Sequence, residues 1–187
     1  MSSTRNHVTI KENKIFKNGI LFFETDSSYS LKDFLKAAWK NLKVKYPKFY
    51  KMDEISKLGM LAAEILLMDE PYKSFAEEEI GVVLSNAHST LITDRNHWNT
   101  VKENNNFYPS PAVFVYTLPN IMIGEICIKH KLKGENAFFI SEGYDEAMIR
   151  HHINLLMAQN KIRAAIGGWV DQWEKGYLVE MFWEDNG

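Results

Sequence analysis

Apolar positions along the chain change spacing from segment to segment, and each change marks a boundary. Ile15-Phe16 and Ile20 to Phe23 flank Asn18-Gly19, two residues that accept the positive φ of a tight turn, which predicts a hairpin. Ser30-Leu31-Lys32-Asp33 follows, with a capping serine and an acidic residue three positions on. Leu31, Phe34, Leu35, Ala38 and Leu42 then recur at helical spacing until Pro47 stops them. Asp53 heads a second helix with Ile55, Leu58, Ala62, Ile65 and Leu66 on one face, and Pro71 lies beyond its end. Ile80-Gly81-Val82-Val83-Leu84 is almost unbroken in apolar residues, the mark of a strand covered on both sides. Glu77-Glu78-Glu79 before it reads as a solvated loop, Asp94 to Glu103 as a short helix, and Asn104-Asn105-Asn106 as a polar loop.

Tyr108-Pro109-Ser110-Pro111 is a sharp punctuation, with Ser110 as cap and Pro111 at a helix's first position. Pro119 breaks the following helical pattern, and Asn120 to Leu132 forms a central helix that Gly134 ends. A strand over Ala137-Phe138-Phe139-Ile140 and a tight connection over Ser141 to Tyr144 come next. Asp145 then opens a helix with Ile149, Ile153, Leu156 and Met157 on one stripe. Ile162 to Trp169 is a buried strand, and Tyr177 to Glu184 an edge or antiparallel strand. Helices alternating with strands predict an α/β fold with helices on both faces of a largely parallel sheet, and antiparallel additions at its ends.

Composition narrows the function classes. The 187 residues, 45% hydrophobic and 25% charged, suit one ordered domain spanning 1–187. No apolar run is long enough to span a bilayer, and the polar stretch Met1 to Thr9 lacks the core of a secretion signal, so a cytoplasmic location is expected. A net charge of −2 gives no general attraction to nucleic acid. The single cysteine, Cys127, allows no internal disulfide and no multi-thiolate metal site.

The central third carries a resemblance. Tyr108-Pro109-Ser110-Pro111-Ala112, Leu118-Pro119-Asn120, Gly124-Glu125-Ile126 and Leu132-Lys133-Gly134-Glu135-Asn136 resemble the N-terminal half of β-ketoacyl-acyl carrier protein synthases. Ala164-Ala165-Ile166-Gly167-Gly168-Trp169-Val170-Asp171 looks like that family's Gly-Gly strand, and Met52-Asp53-Glu54-Ile55-Ser56 like the start of an earlier helix. The resemblance spans Lys51 to Asp171 and is narrower still to short ketosynthase-like proteins of aryl-polyene and flexirubin pigment clusters. It implies a thiolase-like half, a mixed, mostly parallel five-stranded sheet flanked by helices. It also implies acyl carrier protein and fatty-acyl or polyketide chains as chemical neighbours. Where the family has its nucleophilic cysteine this chain has Gly143, which carries no acyl group. The family's paired basic residues come from a C-terminal half that has no counterpart in these 187 residues.

The remaining candidates each have a plainer structural role. Ser141 is a substitute nucleophile only if a base is placed for it, and otherwise a turn residue. Cys127, between Ile126 and Ile128, reads as a small buried hydrophobe. His151 and His152 project about 100° apart on a helix, so one packs and one is solvated; with His130 and His88 they make no recognised ligand spacing, and no metal or other cofactor is expected. Gly167-Gly168 fits close approach of a neighbouring backbone or helix better than a dinucleotide site. Trp169, Trp173 and Trp183 either fill a core or meet a partner. The resemblance makes Phe138-Phe139-Ile140 the strand of a two-fold interface, giving a homodimer or a heterodimer with a ketosynthase. The expected role is a non-catalytic accessory protein of acyl-chain assembly, against two alternatives: an acyltransferase using Ser141 or Cys127, and a self-assembling structural protein.

Overall fold

A computed structural model describes residues 6–69, 71–102 and 111–186. Its strands are β1 (His7–Lys11), β2 (Lys14–Lys17), β3 (Ile20–Glu24), β4 (Ile80–Asn86), β5 (Asn136–Ile140), β6 (Ala164–Trp173) and β7 (Gly176–Asp185). The helices are α1 (Leu31–Leu42), α2 (Glu54–Leu66), α3 (Leu91–Val101), α4 (Pro111–Val115), α5 (Ile121–His130) and α6 (Glu146–Ala158). The strands join into one sheet in the order β3-β2-β1-β7-β6-β4-β5.

The α/β class holds, but the sheet has seven strands where five were expected. Only β4 with β5 and β4 with β6 pair in parallel; the other neighbours are antiparallel. Hairpins explain the difference, because a tight turn returns the chain antiparallel to itself. The turn between β1 and β2 carries neither Gly nor Pro: Glu12 and Asn13 take φ of 49° and 57° and reverse the chain there. Strand β1 lies in a largely polar stretch, where only Val8 and Ile10 alternate into the core. Asn18-Gly19 forms the predicted turn, with φ of 54° and 79°. Strand β7 is antiparallel and interior, between β1 and β6, not at an edge.

Three helices cover one face. Helix α2 lies deepest, with Leu58, Leu61, Ile65 and Leu66 fully buried against Val8, Ile166 and Met181 from the sheet. Each such side chain contributes about 1.5–3 kcal/mol relative to exposure. On its flanks sit α1, capped by Ser30 accepting from the Asp33 N–H, and α5. Trp39 stacks on Phe49 at 3.9 Å between centroids, sealing the far end of α1. The other face carries α6, whose Ile149 and Ile153 meet Val83, Ala165 and Phe182.

Several local expectations shift. The helix expected from Asp94 begins at Leu91 and ends at Val101, while Asn104-Asn105-Asn106 and Ser110 lie outside the described residues. The break at Pro119 is present, since α4 ends at Val115 and α5 begins at Ile121. Gly134 does not end α5. Lys131 does, at φ 57°, its N–H bonding the Cys127 carbonyl. Gly134 instead lies against the Ile80 backbone, where a Cβ has no room. Glu77 to Glu79 form a single helical turn in which the Glu79 carboxylate accepts the Ala76 N–H at 2.8 Å. Among the described residues no helix is long and apolar enough to cross a membrane.

Asp53 does two jobs at the head of α2: one oxygen accepts the Ser56 N–H at 3.0 Å, the other the hydroxyl of buried Thr93 at 2.6 Å. Asp53→Ala removes the cap and strands that hydroxyl, at a cost of about 2 kcal/mol. The expected readout is a lower urea midpoint with an unchanged m-value.

Candidate functional site

The parallel strands β4 and β5 end side by side, and the chain turns from β5 into α6 through Ser141 to Tyr144. The Ser141 N–H bonds the Asn86 carbonyl at 3.0 Å, which extends the ladder one residue and fixes where the turn begins. Its hydroxyl donates to the Gly143 carbonyl at 3.1 Å. That bond closes the turn, and among the described residues no basic side chain bonds the hydroxyl. Asp145 then caps α6 by accepting the Met148 N–H at 2.9 Å.

Gly143 sits exposed in this turn with no left-handed φ. A Cβ built there meets nothing within 4 Å, so packing does not demand a glycine. Next to it, Tyr144 leans its ring on Trp169 at 6.1 Å and donates its hydroxyl to Glu146 at 3.0 Å. Burial, then the neighbouring Glu146 carboxylate, hold that phenol well above the usual tyrosine range. Glu146 itself is lowered: burial opposes its charge, but bonds from Arg150 and Tyr144 outweigh it. Arg150 lies over the Phe182 ring at 3.8 Å and also pairs with Glu184, tying α6 to β7. Beyond it, Glu180 accepts from Thr9 at 2.7 Å and pairs with His7 at 3.1 Å.

The other candidates disperse. Cys127 is half-buried on α5 beside the larger core, and burial pushes its thiol up to about 11. His152 packs edge-on to Phe139 at 5.0 Å while His151 is exposed, the division expected from their spacing. His130 pairs with Glu64 at 3.3 Å. Trp169 and Trp183 are buried, whereas Trp173 is 38% exposed. Phe138 packs on the larger core, Phe139 on the smaller, and Ile140 is 56% exposed on a strand that ends the sheet. A Cβ on Gly168 meets the Glu180 carbonyl of β7, and one on Gly167 meets Phe182 and Ile153, so both glycines serve close approach.

Sequence reasoning passed over one pair. His88, in the loop after β4, holds its Nδ1 2.8 Å from the buried carboxylate of Asp171 on β6. The two are 83 residues apart, and no spacing rule joins them.

No protein-family description and no curated sequence matches the chain. Solved structures do. The ishigamide ketosynthase/chain length factor superposes with a TM-score of 0.69 at 15% identity, over 98% of this chain and 61% of that one. The ketosynthase ApeO in complex with its chain length factor ApeC from Xenorhabdus doucetiae gives 0.64 at 12% identity, over 97% of this chain and 77% of that one. A third match is a type II polyketide synthase ketosynthase, AntDE, in complex with the acyl carrier protein AntF. It gives 0.62 at 10% identity, over 97% and 61%. The chain therefore has the ketosynthase/chain-length-factor fold and spans about three fifths of the first of these relatives.

A thiol raised to about 11 is nearly all protonated at pH 8, so Cys127 in the folded protein reacts with iodoacetamide about two orders of magnitude more slowly than a free thiol. The unfolded chain loses that proton earlier. Stability from this group is full below the ordinary thiol value and falls as pH rises toward about 11. Alkylation followed by mass spectrometry, with and without denaturant, checks the first; denaturant titrations at pH 8 and pH 10, compared with Cys127→Ala, check the second.

Proposed function

We propose that this chain is an accessory protein of the ketosynthase type, one lobe without condensation chemistry of its own, acting in acyl-chain assembly of the aryl-polyene or flexirubin kind. One observation carries the reading. The turn that the resemblance assigns to the nucleophile holds Gly143, open to solvent on all sides a side chain would take. Acyl transfer to the enzyme needs a nucleophile with a base to activate it. Ser141 spends its hydroxyl on the turn, and Cys127 is a raised thiol on another element.

The partner is a ketosynthase or a second copy of this chain, joined along β5. An edge strand presents unpaired backbone groups that a second strand satisfies, and Ile140 adds exposed apolar surface there. Two of the similar structures pair a ketosynthase with a chain length factor or an acyl carrier protein, which supports the same class of partner here.

Light scattering at micromolar concentration, alone and with the cognate ketosynthase, is expected to show a dimer. Ile140→Lys puts a charge on the docking edge and weakens association at least about tenfold, since 1.4 kcal/mol is lost for each factor of ten. A chain that stays monomeric under both conditions overturns the reading. Incubation with acyl thioesters is expected to leave the intact mass unchanged; a covalent acyl adduct points instead to an acyltransferase.

A further inference from the structure

One end of the larger core opens into a cavity. Where β6 turns into β7, the first residues of α1 and α2, the β1–β2 turn and the loop before α1 enclose about 740 Å³. That volume is ordinary for a small-molecule site. Buried Asn13 ties three of the walls together. Its amide donates to the Asp26 and Tyr29 carbonyls at 3.2 and 2.9 Å. Its backbone N–H donates to the Tyr177 hydroxyl at 2.7 Å, and that hydroxyl donates back to Asn13 Oδ1 at 2.8 Å. Tyr177 is held further by stacking on Phe34, 6.2 Å between centroids. The walls are set before any ligand arrives, which spares binding the cost of ordering them.

Depth sorts the lining by chemistry. The floor is Leu31, the Tyr177 ring, half-buried Glu54 and Gln172, which is only 8% exposed; Tyr29 and Trp173 stand exposed at the rim. Gln172 Nε2 donates to Glu54 Oε2 at 2.8 Å. That bond fixes the carboxylate and leaves Glu54 Oε1 and Gln172 Oε1 as acceptors with no partner among the described residues. Glu54 also forms no ion pair among them, since Lys57, three residues on along α2, stays beyond ion-pair distance. The α2 N-terminus is already met by Asp53, which caps it. The rim charges Lys11, Glu12, Glu174 and Lys175 are of both signs and lie in solvent, which screens them. Glu54 therefore sets the preference. A half-buried carboxylate without a counter-charge gains from a cation that donates to it, and exposed indole and phenol rings attract the same charge across their faces.

We propose that this cavity binds a small organic cation, an amine with a flat apolar body. Its ammonium donates to Glu54 and to Gln172 Oε1, and its body lies against the Trp173 and Tyr29 rings. Binding is reversible and involves no covalent step. The site stands on the β6–β7 hairpin and two helix starts, with β4 between it and the β5 edge. It and the accessory reading therefore fail separately, one by ligand titration and the other by association.

The test is calorimetric titration of the full chain with phenethylamine, phenethyl alcohol and hydrocinnamate, three ligands of similar shape and different charge. The amine is expected to saturate the chain and to bind at least about tenfold tighter than the alcohol, the worth of one charge-assisted hydrogen bond. Hydrocinnamate is expected to bind more weakly than either. Glu54→Gln keeps an acceptor for Gln172, and is expected to bring the amine down to the alcohol's affinity while leaving the alcohol unchanged. Tyr29→Ala keeps the carbonyl that Asn13 uses, and is expected to weaken amine and alcohol alike. No saturable binding of the amine at millimolar concentration overturns the proposal, as does hydrocinnamate binding as tightly as the amine. An amine preference that survives Glu54→Gln also overturns it, and so do unchanged affinities in Tyr29→Ala, a variant of an exposed side chain that decides the matter even where Glu54→Gln folds poorly.

Discussion

The approach of β6 to β7 at Gly168 is the constraint on which the other placements rest. With no Cβ there, the β7 backbone at Glu180 and Met181 comes close enough that any side chain collides with it. β7 lies inside the sheet, with β1 paired on its far side and β4 on the far side of β6. Gly167 does the same on the helix side, giving space to Phe182 and Ile153 so that α6 seats on the sheet. A strand buried on both faces gains from small residues only where something else fills the volume, and here a neighbouring backbone and a phenylalanine fill it.

From that frame follows the division of labour between the faces. One is closed by α1, α2 and α5 over a continuous apolar core. The other carries α6 and a second, smaller cluster, and then turns polar. Arg150 binds Glu146 and Glu184 over Phe182, and Glu180 gathers Thr9 and His7. Polar groups that satisfy one another need no further cover. The edge at β5 is different, because backbone groups and the Ile140 side chain remain there with no partner among the described residues. The physical incentive for association therefore lies along the sheet's edge more than on its second face.

The turn after β5 shows how a connection is fixed without help from the side chain at its centre. Its geometry is maintained by main-chain and short polar contacts: Ser141 to Asn86, Ser141 to Gly143, Asp145 to Met148. None of these bonds uses a side chain at position 143, and the space there is open. A Cβ at position 143 would meet nothing within 4 Å, so the backbone of this turn does not dictate which residue stands there.

Much of this was written in local pattern. Helix starts at Ser30 and Asp53, the Asn18-Gly19 turn, the break at Pro119 and the two glycines of β6 all follow from what neighbouring residues do to one backbone, and all are present. The ketosynthase likeness was legible because its motifs recur in order along the chain. Sheet order was not legible, since whether a strand lies inside or at an edge depends on which strands of distant sequence come to pair with it. β1 lies in a mostly polar stretch, and β7, expected at an edge or antiparallel, is antiparallel and interior because β1 pairs with it. The same holds for His88 and Asp171, which only the parallel pairing of β4 with β6 brings within a hydrogen bond. The sequence by itself determined where the chain bends and which faces are apolar, because those are short-range matters of sterics and solvation. Only the tertiary structure decided which polar groups meet, because a buried carboxylate chooses its partner from whatever the folded chain carries past it.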